Sequence, residues 1–371
     1  MSTDNPLRVG ITGSNGLLGF HLKTFFMSHT DVVVTCAERA VFKDERAMDA
    51  FVSDLDVIVH LAYLNRGSDS EVATLNPELA RKLVDGCQRT GSVKQIVFSS
   101  SSHIYRQSAY GTSKRECADI FHAWATENSG VFSNLIFPHV FGEYGKPFSN
   151  SVVSTFCYQL ATGESPMIDH DGDLELLHAQ DAAALVFDAI GQRTQGDISA
   201  DGEKIKVSEM LARVTAMAKC YSEAIIPDLR DPFSLKLFNT FRSYLPADHF
   251  PVHLKLHEDE RGSLFEAVKS ENGGQTFLST TKPQVTRGNH FHYHKVERFL
   301  VVKGEAVIRL RRLCSDEIIE IDVDGEQPAY VDIPTLHTHN ITNVGDSELL
   351  TLFWSHEIFD PSNPDTFFEQ V

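Results

Sequence analysis

No two of the six cysteines stand close together. Cys36, Cys87, Cys117, Cys157, Cys220 and Cys314 occur singly, without a CxxC pair, so a disulfide framework is not expected and the thiols read as reduced, mostly structural ones of a cytoplasmic protein. Basic residues are also scarce. Against 51 Asp and Glu there are 33 Lys and Arg, a formal charge of −18, which repels nucleic acid and anionic membrane surfaces and makes neither an expected partner. An anionic ligand would need a local site. No run of about 18 apolar residues is present to cross a bilayer, and MSTDNPLRVGITG has neither the basic nor the apolar segment of a secretory signal. Repeats and low-complexity tracts are lacking too.

With 371 residues, 42% hydrophobic and 23% charged, the composition is that of a globular protein with two domains, since one core rarely serves so long a chain. From Leu7 onward short β-rich runs (DVVVTC, DVIVHLAYL, KQIVFSSSS) alternate with helix-length segments, a pattern that predicts a doubly wound α/β domain on a parallel sheet. It fades after about residue 240. YLPADHFPVHLKLHEDERG, with two prolines and mixed charge, suits a connector. The boundary is placed near 246–252, giving domains 1–248 and 249–371. Beyond it, LFEAVK, QTFLSTT, ERFLVVKGEAVIRLRRL, PAYVDIP and ELLTLFW read as short strands of an all-β sandwich or barrel.

GITGSNGLLG places Gly13, Gly16 and Gly19 after the first strand and at the opening of a helix. Glycine lets backbone approach a pyrophosphate, and a helix N-terminus supplies N–H donors, so Gly13, Ser14, Asn15, Gly16, Leu17 and Gly19 are candidate dinucleotide contacts. The carboxylate that usually binds the adenosine ribose would fall at Cys36. Its absence, with Arg39 three residues on, favours NADP over NAD. Tyr110 and Lys114 in YGTSK share one helix face, downstream of the serine run FSSSSHIY. An ammonium beside a phenol lowers its pKa, and a serine hydroxyl orients a carbonyl, which together make a hydride-transfer site. A histidine in an apolar strand, such as His60, is more often a core residue; it and His103 remain possible ligand contacts.

The C-terminal part holds RGNHFHYHKVE, with His290, His292 and His294 at alternate positions and Glu297 three beyond. In a strand the three imidazoles share a face, and Glu297 joins them only if a turn or bulge intervenes. IPTLHTHN adds His337 and His339. Two histidines, a carboxylate and a distant histidine form a mixed N/O set for a divalent transition metal.

These motifs resemble known families. TGSNGLLG, HLA at 60–62, the serine run and YxxxK are similar to the extended short-chain dehydrogenase/reductases, a Rossmann-type fold. That resemblance implies Ser101, Tyr110 and Lys114 as catalytic, with Ser100 and Ser102 as alternatives to Ser101, and adds Leu61, Ala62, Tyr110 and Lys114 to the cofactor contacts. Ile136 and His139 stand where that family commonly has arginine and asparagine, and HAQD (His178–Asp181) replaces its VxD. GNHFHYHKVERFLVVKG resembles the cupin pattern HxH, four residues, E, six residues, G, and PTLHTHN its second motif. This implies His290, His292, Glu297 and His339 as metal ligands ahead of His294 and His337. Gln284 departs from the expected glycine. HEDERGSLFEAV and TRGNHFH also resemble the cupin-superfamily 4-keto sugar epimerases, in which the histidine matching His290 is a base, so ligand and base both stand open for it. Over its whole length the chain resembles the CapF family of bifunctional capsular polysaccharide assembling proteins, through YGTSK, PFSNSVVSTFCYQLA, YLPADHF, DERGS, the cupin motifs and FDPSNPDTFFE. The resemblance implies C3 epimerisation of a UDP-activated 2-acetamido-2,6-dideoxy-4-ketohexose by the cupin, then NADPH-dependent C4 reduction to a talose-type product, a zinc ion and a homodimer.

Overall fold

The computed structural model describes residues 6–371. The chain runs β1 (Leu7–Thr12), α1 (Leu17–Met27), β2 (Val32–Ala37), α2 (Glu45–Val52), β3 (Val57–His60), α3 (Asp69–Thr90), β4 (Gln95–Ser101), α4 (Ala109–Asn128), β5 (Val131–Phe137) and β6 (His139–Phe141). It continues through α5 (Val152–Ala161), β7 (Asp173–His178), α6 (Ala179–Gly191), β8 (Gly196–Ser199), α7 (Val207–Ser222) and α8 (Pro232–Arg242). Eight longer strands follow: β9 (Gln275–Thr281), β10 (Thr286–Phe291), β11 (Glu297–Lys303), β12 (Glu305–Arg312), β13 (Ile318–Asp324), β14 (Ala329–Ile333), β15 (His337–Asn343) and β16 (Leu349–Ser355). Short strands flank them, among them β17 (Phe367–Phe368) near the end.

By packing, the chain divides into two compact units: residues up to 141 with 173–205, and residues 142–172 with 206–371. The first unit is built on a six-stranded parallel sheet ordered β2-β1-β3-β4-β5-β8. Its central strands are near-continuous apolar runs because helices cover both faces. Val9, Ile11, Val59 and Val97 pack toward α1 and α6 on one side. Ile58, Ile96 and Phe98 pack toward α2, α3 and α4 on the other. Each such side chain, fully buried, contributes roughly 1.5–3 kcal/mol before chain entropy is charged. From β1 the chain goes to one neighbour, β2, and returns to the other, β3, which opens a crevice at the carboxyl ends of β1 and β3.

The second unit holds two five-stranded antiparallel sheets, one containing β14-β11-β16-β9 behind a short Val252–His253 strand, the other ordered β13-β12-β15-β10-β17. Phe299, Val301, Ile308, Leu310, Val331, Ile341 and Phe353, from both sheets, form one core. This is the jelly-roll sandwich expected of a cupin. The packing units cut the chain differently from the sequence division at 248/249, because α7 and α8 bond the strand region and α5 packs on those two helices. Tyr221 of α7 donates a 2.8 Å hydrogen bond to Asp332, whose carboxylate also takes two bonds, 2.6 and 2.8 Å, from the buried Arg298 guanidinium. Removing one partner of such a buried pair typically costs about 3–5 kcal/mol.

One expected strand is absent. LFEAVK contributes only Leu264 to a hairpin of His257–Asp259 with Gly262–Leu264, and Lys269–Ser270 pairs parallel with Ile225–Ile226 instead.

Candidate active site and metal centre

The glycine turn joins β1 to α1. Gly13 has φ +72°, and a Cβ there would lie 2.6 Å from the Ala62 nitrogen, so both conformation and crowding call for glycine. A Cβ on Gly19 would lie 2.5 Å from the Gly13 carbonyl. Gly16 differs: a Cβ would meet no protein atom closer than 3.5 Å, so the chain itself sets no demand for glycine there and the backbone is open to the approach of a ligand. Gly16 is also the N-cap of α1 and supplies no side-chain cap, which leaves the first amides of the helix for an anion. Thr12 locks the turn to the end of β3. Its hydroxyl accepts from the Leu61 and Ala62 amides at 3.2 Å and pairs with His60 Nδ1 at 2.9 Å. His60 sits among Phe42, Phe98 and Phe121, and burial pulls its pKa down to about 3. It is a core brace. Cys36 and Arg39 are both exposed at the end of β2.

The serine, tyrosine and lysine meet where β4 ends and α4 begins. Ser108 caps α4 by accepting the Gly111 amide at 3.1 Å, which puts Tyr110 and Lys114 in the first turns on one face. Lys114 is buried, donates to the Ser99 carbonyl at 2.7 Å, and lies 3.6 Å from the Tyr63 ring centre and 4.6 Å from that of Phe98. Burial pulls its ammonium down to about 7. Burial also raises the Tyr110 phenol, while a hydrogen bond with Ser101 opposes the rise. Among the three candidate serines, then, Ser101 is the one that acts on the Tyr110 phenol. Ser100 is buried with its hydroxyl unpartnered, and Ser102 is exposed in the following turn. Arg115 holds that turn by bonding the Ile104 carbonyl.

The imidazoles converge in the second unit. One donor atom each from His290, His292, Glu297 and His339 lies within 4.8 Å of the others. His292 Nε2 is 3.2 Å from Glu297 Oε2, and His339 Nε2 approaches the same oxygen to 3.4 Å without hydrogen-bond alignment. Burial pulls His290 down to about 3 and lowers His339. Burial alone would raise Glu297, but the neighbouring His292 and His339 outweigh it and keep the carboxyl ionised. Imidazoles, a carboxylate and an unsatisfied buried nitrogen aimed at one point are the donor set a divalent ion requires. The outer contacts fit as well. His292 Nδ1 bonds the Asp365 carbonyl and His339 Nδ1 the His337 carbonyl, which fixes both rings with Nε2 inward.

A bulge and a turn bring Glu297 round. The β10–β15 register shifts between Gly288 and His290, with Asn289 at φ +60°. Gly288 has φ +104°, and a Cβ there would lie 2.7 Å from the His339 carbonyl. The chain then turns at 292–296, where the Asp365 carboxylate accepts the amides of Tyr293, His294 and Lys295 at 2.8–2.9 Å. His294 is thereby turned out of the cluster, its carbonyl taken by Asn239 at 2.9 Å. His337 also lies outside it, with Nδ1 at 3.2 Å from the Tyr144 hydroxyl. Gln284, where cupins favour glycine, holds the left-handed turn at φ +61°.

Comparison with known proteins fits this geometry. Residues 9–201 match the NAD dependent epimerase/dehydratase family, and residues 257–367 the polysaccharide biosynthesis C-terminal domain. Capsular polysaccharide assembling protein CapF from Staphylococcus aureus is 32% identical, with TM-score 0.62, over 98% of this chain and 100% of its own. The chain belongs to the CapF family. The UDP-2-acetamido-2,6-beta-L-arabino-hexul-4-ose reductase of Pseudomonas aeruginosa is 28% identical over 368 residues, 97% of this chain and 98% of that protein. A UDP-N-acetylglucosamine 4-epimerase from Methanobrevibacter ruminantium, 17% identical with TM-score 0.54 over 65% of this chain and 98% of its own, shares the fold of the first half.

Two residues of this CapF-family chain escape a reading of its motifs. Tyr63 stacks edge-on against Tyr110 at 5.3 Å and bonds Ser113, flooring the Lys114 pocket; its only signal was its place directly after HLA. Asp365 lies about 70 residues beyond the histidines it orients, in the tail segment FDPSNPD, where nothing local betrays the contact. Among the described residues no helix is long and apolar enough to cross a membrane.

Proposed function

We propose that this chain is a bifunctional nucleotide-sugar enzyme: residues 249–371 form a cupin domain that inverts C3 of a UDP-activated 2-acetamido-2,6-dideoxy-4-ketohexose, and residues 1–248 reduce the C4 ketone. The product is a UDP-2-acetamido-2,6-dideoxy-L-talose-type sugar for surface polysaccharide, made in the cytoplasm by a homodimer. The observation that carries the reading is the coexistence of two separate reactive constellations, Ser101–Tyr110–Lys114 and His290–His292–Glu297–His339, each suited to a 4-keto sugar.

Bound groups supply two things: NADPH on the glycine turn a hydride, and a divalent ion, zinc in this proposal, charge neutralisation for an enolate. The residues do the rest. In the cupin, a 4-keto group acidifies the C3 hydrogen; a base removes it, the negative charge passes to the keto oxygen, and a proton returns to the opposite face. His290, less enclosed than His339, is the proposed base or a fourth ligand beside His292, Glu297 and His339. In the first domain, Ser101 orients the ketone oxygen and Tyr110 gives it a proton as hydride reaches C4, with Lys114 beside the phenol stabilising the phenolate that remains. Inversion precedes reduction, because reduction removes the carbonyl that makes C3 acidic. The name of the Pseudomonas aeruginosa relative, a hexul-4-ose reductase, supports the second step.

Separate variants test the assignment. Tyr110→Phe should abolish NADPH oxidation with a UDP-4-ketosugar while leaving C3 proton exchange within a few-fold of wild type, and His290→Ala should do the reverse. Equal loss of both activities in either variant would count against two sites.

A further inference from the structure

A cavity of about 260 Å³ in the second unit is lined by Tyr144, Arg242, Arg312, Glu317 and His337 with an apolar wall that includes Phe250 and Ile319. In a chain carrying −18, two guanidinium groups on one cavity are conspicuous. Arg242 is 4% exposed. Its Nη atoms bond the Ile333 carbonyl at 3.2 Å and Asn239 at 2.9 Å, while its Nε has no protein partner. Arg312 is exposed, its guanidinium 5.2 Å from the Tyr144 ring centre, and the Tyr144 hydroxyl lies 3.2 Å from His337 Nδ1.

Strand register ties this cavity to the metal-type cluster. Arg312 pairs with His337 across β12 and β15, and Leu310 pairs with His339. Residues two apart on a strand face the same way, about 6.8 Å apart along it. The Arg312–His337 rung therefore precedes, on the same face, the rung that carries the cluster ligand His339. A ligand with its anionic group on the first rung puts a group about five bonds further on at the second, roughly 6.8 Å away. A sugar 1-diphosphate has that shape, with its ring carbons a few bonds from the phosphorus.

The geometry points to this cavity as the diphosphate subsite of the cupin reaction, with Arg312 and Arg242 as its cationic contacts and Glu317 as a carboxylate at its rim that weakens anion binding. The assignment rests on the proposed reading that the cupin takes a nucleotide sugar, and the test separates the two.

The test uses the full chain with NADP⁺ saturating, so that the glycine turn is filled, and inorganic pyrophosphate as probe. Loss of one charge-assisted contact to phosphate corresponds to about a tenfold weakening or more. Calorimetric titration should show Arg312→Gln binding pyrophosphate at least tenfold more weakly than wild type, Arg312→Lys in between, and Glu317→Gln more tightly, at unchanged melting temperature. In the exchange assay without NADPH, Arg312→Gln should raise KM for the UDP-4-ketosugar by a similar factor with kcat within about twofold. Equal pyrophosphate affinity in wild type and both charge variants would overturn the subsite. Should wild type show no exchange yet bind pyrophosphate with these charge dependences, the subsite stands and the epimerase reading fails.

Discussion

At the scale of single residues, the proposed reductase site turns on which serine faces Tyr110. Ser101 is the serine that opposes the rise burial causes in the phenol, while Ser100, one residue earlier, points to the other side of β4 with an unpartnered hydroxyl. Ser101→Ala should therefore lower kcat for ketone reduction on the order of 100-fold or more, and Ser100→Ala by no more than a few-fold, in steady-state NADPH oxidation. Lys114 makes a second prediction. Burial holds its folded pKa at about 7, below the ~10.4 of an unfolded lysine. Between those values the unfolded chain binds the extra proton, so stability gains as pH rises through this window. The urea midpoint of wild type relative to Lys114→Met should increase from pH 7 to 9; a flat difference would mean that Lys114 is not desolvated as described. That Tyr110 and Lys114 share a helix face was legible because four-residue spacing on a helix is a local rule. The choice among three consecutive serines was not, since it depends on how β4 ends against α4.

At the scale of elements, the cluster depends on a bulge at Gly288–His290 and a turn at 292–296. Alternation along one strand put the three imidazoles together but could not say where the strand stops; it stops at Phe291, so His294 leaves the set and Glu297 enters it. Glycine-containing RGNH hinted at a bulge, whereas the tail residue that pins the turn had no signal at all. Asp365 accepts three turn amides and its carbonyl orients His292. Losing such outer support typically weakens metal binding 10–100-fold. Asp365→Ala should show that weakening in chelator competition, with His294→Ala close to wild type. Equal affinity of Asp365→Ala and wild type would remove the tail from the account of the site.

At the scale of the whole molecule, the order of fold types was readable because a parallel sheet leaves continuous apolar runs and a sandwich leaves alternating ones. The division into packing units was not, because α5, α7 and α8 look like a continuation of the first domain, yet α7 and α8 bond the strand region and α5 packs on them; the Tyr221–Asp332 bond joins residues 111 apart, beyond any local pattern. The reading of two successive reactions on one carbonyl makes a demand of the complete chain. Incubated with its UDP-4-ketosugar in deuterated water without NADPH, wild type should wash deuterium into C3, and Tyr110→Phe should do so as well. Reduction on adding NADPH, with no deuterium at C3 in substrate or product, would contradict the account.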